Sequence, residues 1–181
     1  MLAAMPTFFV CTKMQLDHSK NRFEKRKFPI LILCDKIRTP ENFGMIFRVA
    51  DAFGVEKLIL DKDSPSPEDR SVKRISRDAN KLVAYERSED VKSELLKLKQ
   101  KKYKVIALEI TSESKPIQEL ELKDEKIVLV IGAERNGISK ELLAECDETY
   151  HITMFGNNSS MNVVNALSVA LYEITNKFSK D

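Results

Sequence analysis

Apolar runs alternate with segments of helical period along most of this chain. Residues 28-FPILILC-34 are continuously apolar. That is the pattern of a strand covered on both faces, where polar alternation disappears. In 40-PENFGMIFRVADAFG-54, Phe43, Phe47, Ala50 and Phe53 mark one helical face, and Arg48 falls off it. Pro40 suits the helix start and Gly54 the residue just past its end. A second strand, 55-VEKLIL-60, follows at once. The Pro-, Ser- and Asp-rich stretch 61–69 predicts a loop. Residues 82-LVAYE-86 predict a weak strand, and Ser88 a cap for the helix 89-EDVKSELLKLKQKK-102, whose acids lead and lysines trail as the helix dipole prefers. Further strands are expected at 103–110, 126–132 and 149–154, with a short helix, 140-KELLAEC-146, before the last.

The pattern ends in 151-HITMFGNNSSMNVVNALSVALYEITNKF-178. A short β-rich piece gives way to a polar loop, Gly156 to Ser160, and then to a long amphipathic helix. Val163, Leu167, Leu171, Ile174 and Phe178 recur there at spacings of four and three. The loop has two readings: Ser159 or Ser160 caps the helix, or the exposed amides and hydroxyls hold a small polar ligand. Strands and helices thus alternate from Phe28 to Phe178 without an internal repeat. This predicts an α/β domain with a mostly parallel sheet flanked by helices. Ligands in such sheets sit beyond the carboxyl ends of strands, where the loops after Cys34, Ile131 and Met154 fall.

Composition narrows the function classes. With 181 residues, 43% hydrophobic and 32% charged, the chain reads as one globular domain. The net charge of +2 sets up no strong global field, so a nucleic-acid partner must be argued from local clusters. Two clusters exist, each with a net charge of +4. One spans residues 13–27 and includes Arg22 and Lys25. The other spans residues 70–81 and includes Arg70, Lys73 and Arg74. Each reads as an RNA contact or as a solvated face. Three cysteines, Cys11, Cys34 and Cys146, lack CxxC spacing, which points to reduced thiols in the cytoplasm and away from a zinc site. Two histidines support neither a His-based metal centre nor a Ser-His-Asp triad. No apolar run reaches the length of a membrane span. Residues 1–13 read as a peripheral extension, with Met14 an alternative start.

One motif misleads. The loop 132-GAERNGIS-139 follows a strand and nearly fits the phosphate-binding G-x-x-x-x-G-K-S. Ile138 stands where a lysine should neutralise phosphates, and Glu134 adds a negative charge to the cradle. An NTPase is therefore disfavoured.

Three segments together resemble the SpoU family of RNA ribose 2′-O-methyltransferases, in the SPOUT superfamily. They are 42-NFGMIFRVADAFG-54, 129-LVIGAERNGIS-139 and 152-ITMFGNNSSMNVVNA-166. They are similar to the family's N-x-G-x-I-x-R-x-A-x-A-F-G, G-x-E-x-x-G-x-S and I-P-M-x-G-x-x-x-S-L-N-V-S-x-A in order and separation. Thr153 replaces the usual proline and Val164 a common serine. The resemblance implies an N-terminal arm at 1–27 and, over 28–181, a methyltransferase domain whose C-terminal segment forms a trefoil knot. It implies S-adenosylmethionine as cofactor, no metal, and a homodimer with its active site at the subunit interface. Arg48 would meet the RNA phosphate and 2′-hydroxyl. Asn42, Glu134, Ser160 and Asn162 would complete the catalytic set. Leu108, Gly132, Ile152 and Met161 would surround the cofactor. The substrate would be tRNA or rRNA. The lack of a separate N-terminal RNA-binding domain like that of several ribosomal-RNA members tilts the expectation toward tRNA. The alternative is a non-catalytic RNA-binding or assembly factor of the same fold.

Overall fold

The chain alternates strand and helix in the computed structural model, which describes residues 23–123 and 125–178. The strands are β1 (Phe28–Cys34), β2 (Val55–Asp61), β3 (Ala84–Ser88), β4 (Tyr103–Leu108), β5 (Lys115–Pro116), β6 (Lys126–Ile131) and β7 (Glu148–His151). The helices are α1 (Pro40–Ala52), α2 (Arg70–Ser76), α3 (Ala79–Leu82), α4 (Val91–Gln100), α5 (Lys140–Leu143) and α6 (Val163–Phe178). The strands form one sheet in the order β3-β2-β1-β6-β4-β7-β5, and every named pairing is parallel.

The apolar run of β1 explains its place in the sheet. Ile30, Ile32 and Cys34 face one core layer, and Leu31 and Leu33 face the other, because successive side chains leave a strand on opposite sides. The first layer receives Phe43 and Phe47 of α1, Val72 of α2 and Leu167 and Leu171 of α6. The second receives Leu95 and Leu98 of α4 and Leu142 of α5. Phe43 and Phe47 are fully buried, with ring centroids 5.4 Å apart in an edge-to-face pair. Each such ring stabilises the fold by roughly 1.5–3 kcal/mol through burial alone.

Local signals set several boundaries as expected. Pro40 opens α1, and Gly54 follows it at φ +60°. Others move. Ser88 does not cap a helix: it ends β3, and Asp90 caps α4 by accepting from the Ser93 N–H at 3.1 Å. The weak strand lies two residues later than the expected 82–86. The strands expected to reach Ile110 and Met154 end at Leu108 and His151. The polar loop after β4 contains the short edge strand β5. The basic stretch 70–81 folds into two short helices, α2 and α3. Gly44 lets α1 approach α2 closely: a methyl group at that position would come within 2.8 Å of the Ile75 Cβ.

Part of the N-terminal arm is engaged with the domain. Lys27 donates to the Val55 carbonyl at 2.9 Å. The Arg26 guanidinium lies 4.8 Å from the Phe28 ring centroid and donates to the Phe178 carbonyl at 3.4 Å. Lys25 is exposed, and Arg22 falls outside the described residues.

Candidate active site

The carboxyl ends of β1, β4, β6 and β7 all open on one side of the sheet. The loop 132–139 is tied down there from two directions. Asp35, the residue after β1, is 1% exposed, and its carboxylate accepts from the Ser139 N–H at 2.6 Å. Glu109, the residue after β4, accepts from the Ile138 N–H at 3.0 Å. The Gly137 N–H donates to the Ala133 carbonyl at 2.8 Å. Three successive amides are therefore committed inside the protein, which is the structural reason this loop is no phosphate cradle.

The glycines make that packing possible. A Cβ on Gly132 would collide with the backbone of Gly137 and Ile138, and one on Gly137 would collide with the Glu109 carboxylate. Gly137 also sits at φ +62°, a region that side chains disfavour. Gly132 is one of the residues expected around the cofactor, and a glycine there admits close backbone approach. The close approach found is that of its own loop.

A cavity of about 490 Å³ opens beside this loop. That volume is within the usual range for small-molecule sites. Leu108, Glu134, Ile152, Ser160 and Met161 line it. Gly132 lies between two lining residues, Ile131 and Ala133. His151 joins the wall with its Nδ1 3.0 Å from the Ser114 hydroxyl. The same hydroxyl lies 3.0 Å from the Thr111 carbonyl oxygen. The strand carrying His151 is anchored by Glu148, which accepts from Lys104 at 2.8 Å and from the Tyr150 hydroxyl at 3.0 Å. The hydrogen bond from Lys104 holds the Glu148 carboxyl below its ordinary range.

Asn162 connects three distant segments. Its amide nitrogen donates to the Glu134 carboxylate at 2.7 Å and to the Asn42 side-chain oxygen at 3.1 Å. Its side-chain oxygen accepts from the Val164 N–H at 2.9 Å. Asn162 is therefore the cap of α6, and neither Ser159 nor Ser160 fills that position. Asn42 also donates to the Thr39 hydroxyl at 2.9 Å, which ties the cluster to the start of α1. Val164 is 5% exposed and belongs to the core.

Arg48 shares α1 with Asn42 but makes no hydrogen bond to this cluster. It is half-buried on α1, and its guanidinium contacts the Met45 sulfur at 3.6 Å. Of the expected RNA contacts on α2, Arg70 and Arg74 are exposed, whereas Lys73 pairs with Glu68 at 2.6 Å. Counting Glu68 and Asp69 lowers the charge of this face from +4 to +2 over residues 68–81. Neither described cysteine, Cys34 or Cys146, lines the cavity. Burial, with Asp35 beside it, pushes the Cys34 thiol up to about 12. Burial, with Asp147 beside it, does the same for Cys146, again to about 12.

Asp35 and Glu109 escape a motif-based reading. The signal for Asp35 was present: an acid directly after a buried strand, at the edge where parallel sheets build sites. Glu109 was hidden inside the strand expected at 103–110.

Known proteins share both the sequence and the arrangement. The 23S rRNA (guanosine-2'-O-)-methyltransferase RlmB of Pseudomonas aeruginosa is 32% identical over 146 residues, covering 81% of this chain and 58% of that protein. The tRNA (guanosine(18)-2'-O)-methyltransferase of Aquifex aeolicus is 27% identical over 165 residues, covering 91% of this chain and 77% of that one. The chain thus spans less than two thirds of the length of the first relative. The crystal structure of the A. aeolicus TrmH/SpoU tRNA modifying enzyme superposes with a TM-score of 0.77 at 27% identity, over 87% of this chain and 79% of that one. The profile of the SpoU rRNA Methylase family matches residues 29–172, a span that holds β1, the tied loop, the cavity and the Asn162 cluster, and the chain belongs to that family.

Proposed function

We propose that this chain is an S-adenosylmethionine-dependent RNA methyltransferase acting on a ribose 2′-hydroxyl of tRNA or rRNA. One observation carries the reading. Asn42, Glu134 and Asn162, one from each of three motifs and up to 120 positions apart, meet in one hydrogen-bonded cluster beside a cavity of cofactor size. One relative named above acts on 23S rRNA and the other on tRNA, and both RNA classes belong to the proposal.

In this reading Leu108, Ile152 and Met161 hold the cofactor against the loop that Gly132 begins. The bound cofactor supplies a methyl group on a cationic sulfur. Catalysis by the protein is then positioning and electrostatics. Asn42, Asn162 and Glu134 fix the loop and the start of α6 relative to each other, and Ser160 faces the same cavity. Arg48 forks onto the RNA phosphate and stabilises charge developing on the ribose oxygen. That it makes no hydrogen bond to the cluster within one chain favours an active site completed by a second copy. A dimer has support on α6, where Val169 and Tyr172, three positions apart, are both exposed. Arg70, Arg74 and Lys25 remain available for RNA phosphates. Residues 28–181 form the methyltransferase domain, with a knotted path between about 105 and 178. The free thiols of Cys34, buried, and Cys146, half-buried, suit the cytoplasm.

Arg48→Ala tests the mechanism. Single-turnover methyl transfer should fall by roughly 10²-fold or more, while S-adenosylmethionine affinity by calorimetry stays near wild type. Arg48→Lys should rescue little, because it loses the planar fork. A near-normal rate for Arg48→Ala would make this arginine structural. A wild-type protein that binds RNA but no S-adenosylmethionine would favour the non-catalytic alternative. Sedimentation as a stable monomer at micromolar concentration would remove the dimer.

A further inference from the structure

The segment Phe155–Met161 stands out from the surface beside the cavity. Every residue in it is exposed, and Phe155 is 96% exposed. A methyl group built on Gly156 would meet nothing within 4 Å. A phenylalanine held in water forfeits the burial that normally rewards its ring. This ring also has a definite location. Met154 before it and Ser160 and Met161 after it line the cavity, so Phe155 belongs to the segment that borders it.

We propose that Phe155 stacks on a base of the RNA, next to the ribose being methylated. The inference rests on the RNA methyltransferase reading and goes beyond it. A ribose oxygen that reaches into this cavity must bring its nucleotide across the mouth. Bases displaced from an RNA stack are commonly received by aromatic rings. The residues that follow Phe155 suit such a neighbour: Gly156, Asn157, Asn158, Ser159 and Ser160 carry amides and hydroxyls that can pair with base edges. From Thr149 to Tyr172 the chain has no Asp, Glu, Lys or Arg. The stretch itself therefore offers RNA stacking and hydrogen bonds and no charge of its own.

The test uses the full chain, with total RNA from cells lacking the gene as methyl acceptor. Phe155→Ala should raise the KM for RNA by about tenfold, the scale of one lost base–aromatic stack. The kcat and the S-adenosylmethionine affinity should stay within about twofold of wild type, because the ring touches neither cofactor nor reacting atoms. The dependence of RNA binding on salt should keep its slope, since no phosphate contact is lost. Phe155→Trp should retain the wild-type KM. An unchanged KM in Phe155→Ala overturns the proposal. So does conversion of a dimer to a monomer, which would assign the ring to a contact between copies. Should the wild-type protein methylate no RNA, the functional reading and this inference fall together. Should it methylate RNA with Phe155→Ala equally active, only the stacking inference falls.

Discussion

Two loops at the same edge of the sheet are built in opposite ways. The loop 132–139 spends its backbone amides on the protein: Asp35, Glu109 and the Ala133 carbonyl take three N–H groups in a row. The segment 155–161 is exposed throughout, with room around Gly156. Both contain glycines and asparagines, and both flank the cavity. The difference teaches that a polar, glycine-rich loop is not one kind of object. The first is a preorganised wall whose shape is set before any ligand arrives. The second keeps its polar groups available, as a surface for recognising a large substrate requires.

Substitutions at glycine can break or sharpen that contrast. The largest effect should come from Gly137→Ala. The new side chain must adopt a left-handed backbone and displace the Glu109 carboxylate, which then abandons the Ile138 N–H. A loss of about 3 kcal/mol in unfolding free energy is expected, with weakened S-adenosylmethionine binding. Chemical denaturation and calorimetry would read both. Asp35→Ala should come next, at about 2 kcal/mol, because it strands the Ser139 N–H in a buried site. Asp35→Asn keeps an acceptor and should recover part of that loss. The smallest effect should be Gly156→Ala, within about 0.5 kcal/mol of wild type, since nothing surrounds the added methyl and the residue has no left-handed backbone to defend. A Gly156→Ala variant as unstable as Gly137→Ala would erase the distinction between the two loops.

Much of the fold was legible in the sequence because its cues are local. A continuous apolar run declares a covered strand, as in Phe28–Cys34. A Pro start and a Gly stop bracket α1. The weakest readings fell where local cues compete. Three candidate caps lie within four positions before α6, and the choice among Ser159, Ser160 and Asn162 depends on which side chain also finds Glu134 and Asn42. Ser88 and Asp90 are both good caps by type. The strand pairing of β3 with β2 extends through Ser88 and leaves the cap to Asp90.

The three motifs themselves, and with them the family, were determined by the sequence alone. So were the strand-helix alternation, the parallel sheet and the candidacy of Asn42, Glu134 and Asn162. Only the tertiary structure decided that these three touch, that Arg48 bonds to the Met45 sulfur and to none of them, that Lys73 is occupied by Glu68, and that Asp35 reaches Ser139 across 104 positions. The physical reason is the range of the information. Periodicity and capping act within a few residues. Contacts between strand ends depend on the order in which strands pair, and that order emerges from closing long connections around a shared core.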